Sequence, residues 1–274
     1  MKSLEAPDDS PLRIAVVGKG GVGKTTISGA LARVLAGRGL RILALDADPD
    51  ANLASTLPLD EDRLPVPLAQ RQDLIRSVAD SENVPEGLFL LNPDTGYLLP
   101  EGTVTWGCGN KLVVLGWGKA GGEGCYCSEH AVLRRLLSQA SRQTADVTLI
   151  DSEAGLEHMS RGTIAGVDLV LVAVEPGRRS ADTAASVRKL AADLGIRHVH
   201  PVVSGYRNGG ELRAVEEWLS GWPPVAAFPF DERVRQADLL GVPPSLSGSF
   251  LSAAEQLADF AQAIKQSQSM EAAA

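Results

Sequence analysis

The chain has little that would tie it to a membrane, to nucleic acid or to an oxidising compartment. No stretch approaches the roughly 20 consecutive apolar residues that cross a bilayer, and the opening MKSLEAPDDS carries no apolar run of a targeting signal. The final KQSQSMEAAA is neither basic nor amphipathic, which removes the simplest way of lying on a membrane surface. Lys and Arg number 26 against 34 Asp and Glu, for a net charge of -8, and they are dispersed, so no basic stripe points to nucleic acid. Three cysteines, with no secretion signal, exclude a disulfide framework and are expected to be reduced. These absences describe an acidic cytoplasmic protein with neither nucleic acid nor membrane as a partner.

What is present is a long alternation of apolar runs and helical patterns. At 274 residues and 44% apolar content the chain can bury one large core. Short runs at Leu12 to Val17, Ile42 to Asp46, Leu88 to Leu91, Leu112 to Leu115, Val147 to Asp151, Leu169 to Val174, Val199 to Val203 and Val225 to Phe228 read as buried parallel strands. After the first run, Ile27, Ala30, Leu31, Val34 and Leu35 follow helical spacing up to Gly37 and Gly39, which suit a helix C-terminus. The expected fold is a single α/β domain with a doubly wound, mostly parallel sheet over residues 12–266, flanked by tails at 1–11 and 267–274. One region breaks the alternation: residues 92–127 are crowded with glycine and read as loop, and all three cysteines lie there.

The strongest motif follows the first strand. Gly18, Lys19, Gly20, Gly21, Val22, Gly23, Lys24, Thr25 and Thr26 read G-K-G-G-V-G-K-T-T, a phosphate-binding loop between a strand and a helix. Its glycines let backbone N–H groups approach phosphate oxygens, Lys24 reaches the β and γ groups, and Thr25 offers its hydroxyl to Mg²⁺. Lys19 is an additional lysine that ordinary loops of this kind lack. Two acids end later strands: Asp48 in D-A-D-P-D-A-N and Asp151 in L-I-D-S-E-A-G, where carboxylates orient water or Mg²⁺ in phosphoryl transfer. The competing reading, strongest for Asp46, makes such acids caps of the following segment.

These three segments together resemble the deviant-Walker ATPases, the group of the nitrogenase iron protein, MinD, ParA and the tail-anchored-protein targeting ATPase. The resemblance implies ATP and ADP as ligands and a homodimer closed face to face around two nucleotides. It gives Lys19 the role of reaching the partner subunit's phosphates, Asp48 that of the switch I catalytic aspartate, and Asn52 a neighbouring switch position. Lys19, Lys24 and Asp48 are then the catalytic set, with Thr25, Asp48 and Asp151 around Mg²⁺ and Glu153 and Gly155 in the second switch. A lysine supplied in trans works like an arginine finger. The resemblance also predicts an adenine-reading asparagine after the seventh strand. Ser204 stands there instead, leaving Asn208 or the groups at Pro229, Phe230 and Asp231 for that task.

Cys125 and Cys127 form a C-x-C pair just before a helical pattern, with Ser128 as its cap. Thiols at a helix N-terminus ionise more readily, which suits soft metal ligation. One pair offers two sulfurs, whereas Zn²⁺ or Ni²⁺ takes four ligands, so two copies about a dimer axis complete a site. The segment G-G-E-G-C-Y-C-S-E-H-A-V-L-R-R-L-L, with I-D-S-E-A-G-L-E-H-M-S-R-G-T, resembles the carbon monoxide dehydrogenase accessory ATPases over essentially the whole chain. That resemblance implies a nickel or zinc site at the pair and ATP-dependent nickel insertion into a client such as carbon monoxide dehydrogenase. Cys108, His130, His158, Trp106 and Trp117 are expected to be ordinary loop or packing residues.

Two other functions compete. A nitrogenase-iron-protein-like reductase needs two separated cysteines, one in the second switch, and Ser152 to Thr163 has none. A MinD- or ParA-like positioning ATPase needs a membrane-binding tail or a basic surface, both missing here.

Overall fold

The computed structural model describes residues 11–48, 50–60, 64–71, 103–116, 145–152 and 167–272. In chain order, the elements are β1 (Leu12–Val17), α1 (Lys24–Gly37), β2 (Ile42–Ala47), β3 (Thr103–Trp106), β4 (Asn110–Val114), β5 (Val147–Ser152), β6 (Leu169–Val174), α2 (Arg178–Asp193), β7 (His198–Tyr206), α3 (Gly209–Trp218), β8 (Ala226–Pro229), α4 (Glu232–Leu240) and α5 (Gly248–Ala272). Two short 3₁₀ turns, Leu53–Thr56 and Leu68–Gln70, lie between β2 and β3.

The strands form one sheet in the order β3-β4-β2-β5-β1-β6-β7-β8. All neighbouring pairs are parallel except β3 with β4. Strands β5 and β6 are buried along their whole length; β6 is a continuous apolar run, as a strand inside a parallel sheet should be, whereas β5 buries Thr148, Asp151 and Ser152 with its apolar residues. Helices cover both faces. On one, Ile27, Leu31 and Leu35 of α1 pack with Phe250, Leu257 and Ala261 of α5. On the other, Val187 and Ala191 of α2 and Val215 of α3 close over Ala15, Val17, Val170 and Val172. Helix α1 ends where expected: Gly37 is its last residue, and Gly39 takes φ 85° while its N–H donates to the Ala36 carbonyl.

The expected strand at Leu112 to Leu115 forms as β4, and the structure corrects the loop reading just before it. Thr103–Trp106 and Asn110–Val114 form an antiparallel hairpin at the sheet edge, with the indole of Trp106 buried and donating to the Lys111 carbonyl at 3.1 Å. Gly107, Cys108 and Gly109 make its turn, all with positive φ, so the glycines there serve a tight reversal. Strand β7 runs from His198 to Tyr206, beyond both ends of the expected Val199 to Val203. Helix α5 continues to Ala272, through most of the stretch expected as a tail. The run Leu88 to Leu91 lies outside the described residues.

Candidate functional site

The C-terminal ends of the parallel strands converge on the loop between β1 and α1, the place where open α/β sheets bind ligands. The loop needs its glycines. Gly18 has φ 143°, and a Cβ on it would stand 2.6 Å from the Ala173 carbonyl oxygen of β6. Gly23 has φ 87°, and a Cβ there would stand 2.9 Å from Ser204 Oγ. Helix α1 then opens at Lys24 with no side-chain cap and no acid in its first turn. Its leading N–H groups and the positive end of its dipole are therefore open to an anion.

The two lysines of the loop diverge. Lys24 is buried, 7% exposed, and its Nζ donates to the Lys19 carbonyl at 3.4 Å, folded back into the loop it serves. Lys19 points away: its Nζ lies 3.5 Å from Glu175 Oε1 at the end of β6, with side chains 45% and 42% exposed.

Beneath the loop, Asp46 and Asp151 are register partners on β2 and β5, and both are buried. Asp151 accepts a hydrogen bond from Ser28 Oγ at 3.0 Å through Oδ1, while Oδ2 is buried without a hydrogen-bond partner among the described residues. Burial pushes its carboxyl up to about 7, against the opposing pull of Thr25, Ser28 and Lys24 and with the help of the Asp46 charge. Burial likewise raises Asp46 to about 6, although the Leu53 N–H at 2.8 Å and the Asp48 N–H at 3.2 Å stabilise its charged form. Asp46 thus organises the backbone after β2, the capping role weighed for it. Asp48 closes a turn with its Oδ1 accepting from Asp50 N at 3.0 Å. Asn52 precedes the 3₁₀ turn Leu53–Thr56 with its side chain exposed.

An orphaned carboxylate oxygen beside the hydroxyl of Thr25 fits a hard divalent cation, which commonly takes one or two carboxylates plus phosphate oxygens and water. Thr25, Asp151 and the nearby Asp48 are the residues that would hold it.

Beside the loop opens a groove of about 350 Å³ lined by Gly21, Gly23, Glu175, Ser204, Arg207 and Phe230, among others. The Arg207 guanidinium stacks on the Phe230 ring at 3.9 Å. The structure gives other work to two residues expected near the base. Asn208 caps α3, its Oδ1 accepting from Gly210 N and Glu211 N at 2.9 and 3.1 Å. Asp231 caps α4 and pairs with Arg233 at 2.6 Å, which holds its carboxyl below the usual range. Pro229 closes β8, and Phe230 alone of that segment lines the groove. Sequence reasoning missed Ser28, Glu175 and Arg207. The only local signals were an acid ending the apolar run of β6 and a serine one turn beyond Thr25.

Cys125, Cys127, Glu153 and Gly155 lie outside the described residues, as do His130, His158 and Trp117. Cys108 is exposed at the hairpin turn. Among the described residues no group of three or more His, Cys, Asp or Glu is placed to hold a metal ion, and no helix is long and apolar enough to cross a membrane.

Comparison with known proteins agrees with this geometry. Residues 14–271 match the CobQ/CobB/MinD/ParA nucleotide binding domain. The chain is 39% identical over 233 residues to the carbon monoxide dehydrogenase accessory protein CooC of Rhodospirillum rubrum, covering 84% of this chain and 88% of that protein. It is 35% identical over 253 residues to an uncharacterized ATP-binding protein of Methanocaldococcus jannaschii, covering 91% and 97%. In fold it is similar to the septum site-determining protein MinD of Pyrococcus horikoshii, solved with Mg-ADP, at TM-score 0.64 and 18% identity over 94% of this chain and 98% of that one. The chain therefore belongs to the CobQ/CobB/MinD/ParA nucleotide-binding family, as a P-loop ATPase related to the carbon monoxide dehydrogenase accessory protein CooC.

Proposed function

We propose that this ATPase is a nickel maturation factor. Two copies close face to face on ATP, hold Ni²⁺ or Zn²⁺ as cargo between their Cys125 and Cys127 pairs, and assist nickel insertion into carbon monoxide dehydrogenase or a related nickel enzyme. The observation that carries the ATPase half is the divergence of the loop lysines. Lys24 is turned into its own loop, whereas the ammonium of Lys19 is directed outward, where a second subunit's phosphates can meet it. The similarity to CooC supports the client, and the C-x-C pair supports the cargo.

The chain's residues divide the work. Backbone N–H groups of residues 18–26 and the start of α1 hold the phosphates, with Lys24 neutralising their charge. Asp48, close enough to Asp46 to raise its carboxyl, orients the attacking water. Mg²⁺, held by Thr25, Asp48 and Asp151, would supply positive charge against the phosphates. Lys19 stabilises the charge that develops on the partner's transferring group. Asn52, Glu153 and Gly155 belong to the segments that sense the γ-phosphate. Closure fixes the spacing of the four thiolates, and hydrolysis reopens the dimer and releases the metal. The cycle runs in the cytoplasm, without nucleic acid or membrane.

The test is metal analysis of the anaerobically purified protein. It is expected to bind about one Ni²⁺ or Zn²⁺ per dimer, the tetrahedral demand of four sulfurs. Replacing Cys125 and Cys127 together by Ser is expected to abolish binding while leaving nucleotide binding intact; full metal retention in that variant rejects the cargo site.

A further inference from the structure

We propose that Glu175 is a positioning residue for Lys19, holding it in an intrachain ion pair that must open before Lys19 can engage a second subunit. The inference rests on the reading that Lys19 acts in trans, and adds a restraint to it. Three observations carry it. The Lys19 ammonium stands 3.5 Å from Glu175 Oε1, outside its own loop, while Lys24 fills the inward position. Glu175 is itself held: its N–H donates to Ser180 Oγ at 3.1 Å, Ser180 is buried in the first turn of α2, and Pro176 follows directly. Finally, Glu175 lines the groove beside the phosphate loop together with Gly21 and Gly23, next to where phosphates would enter.

The arrangement has a direct consequence. A carboxylate at that position is repelled by incoming phosphate, and the same phosphate on a partner subunit attracts Lys19. The lysine is thus exchanged from Glu175 to the partner's nucleotide only when the second site is loaded. Until then the ion pair keeps a flexible, charged side chain from wandering, and biases the chain toward the separate state. Because the pair is half exposed, each one shifts the equilibrium only modestly, by about twofold, and a symmetric dimer opens two, for about fourfold in the dimerisation constant.

The experiment is steady-state ATP hydrolysis at saturating Mg-ATP as a function of protein concentration, for the wild type, Glu175→Gln and Lys19→Ala. Glu175→Gln is isosteric, and circular dichroism verifies its folding. Its half-maximal protein concentration is expected to fall about fourfold at low salt. At about 1 M salt, where charges are screened beyond about 3 Å, the wild type and the variant are expected to converge. An unchanged midpoint, or a shift that persists undiminished in high salt, overturns the restraint. Lys19→Ala separates the two ideas. Wild-type turnover by Lys19→Ala rejects the trans lysine itself, whereas an inactive Lys19→Ala beside an unshifted Glu175→Gln rejects the restraint alone.

Discussion

Asp46 and Asp151 face each other across adjacent parallel strands, one residue of β2 in register with one of β5, both buried. Two carboxyls in such a place cannot share full ionisation without a cation. The fold keeps Ser28 and the backbone of Asp48 and Leu53 against them, and Asp151 Oδ2 has no hydrogen-bond partner among the described residues. Burial raises both carboxyls, and the hydroxyls of Thr25 and Ser28 beside Asp151 make the pair a chemically suitable neighbour for a hard divalent cation.

That relationship fixes how stability depends on pH. In the unfolded chain both carboxyls titrate near about 3.9, whereas burial raises them to about 6 and about 7 in the fold. Below about pH 4 both states are protonated and nothing is lost; as pH rises toward 7 the unfolded chain has released its protons while the native state resists, so stability falls. The nucleotide-free protein is expected to lose thermal stability from this pair between about pH 4 and about pH 7. Asp46→Asn flattens that slope, and Mg-ADP reduces it by favouring the ionised form. Parallel melting profiles for the wild type and Asp46→Asn would contradict the assignment.

A second expectation concerns the contact between α1 and the turn after Asp48. Gly29 lies inside α1, where alanine ordinarily stabilises a helix by about 1 kcal/mol. Here an added Cβ would fall 2.1 Å from Thr56 Oγ1 and 2.5 Å from Thr56 Cβ, against a buried side chain whose hydroxyl donates to the Leu53 carbonyl at 2.7 Å. Gly29→Ala is therefore expected to destabilise by about 1–3 kcal/mol in urea unfolding. Combining it with Thr56→Gly, which removes both clashing atoms, is expected to recover part of the loss. A Gly29→Ala protein more stable than the wild type would refute the close packing of α1 against the Leu53–Thr56 turn.

How much of this was legible depended on whether the physics was local. The bounds of β1 and β6 follow directly from the sequence, because strands buried on both faces are nearly uninterrupted apolar runs, broken in β1 only by Arg13. The hairpin strand Thr103–Trp106 was not legible. It is a four-residue edge strand with alternating threonines, and its Gly-Cys-Gly turn made the whole region look like loop. The phosphate loop was legible because every element of it is contiguous. The pairings Lys19 with Glu175 and Ser28 with Asp151 were not, since they join residues 156 and 123 positions apart. Asn208 shows a local signal with a second reading: Asn followed three residues later by Glu211 is also a helix cap, and its oxygen takes that role.

The central claim is that each active site is completed by the Lys19 of another copy, and mixed dimers test it directly. Lys19→Ala subunits retain Asp48 but lack the lysine to donate; Asp48→Asn subunits retain the lysine but lack the water-orienting carboxylate. Each protein alone is expected to be nearly inactive. Mixed in equal amounts, half the dimers are hybrids with one complete site of two, so ATP hydrolysis is expected to recover to about a quarter of the wild-type rate. No recovery on mixing, with both variants shown to bind ATP and to exchange subunits, contradicts the account.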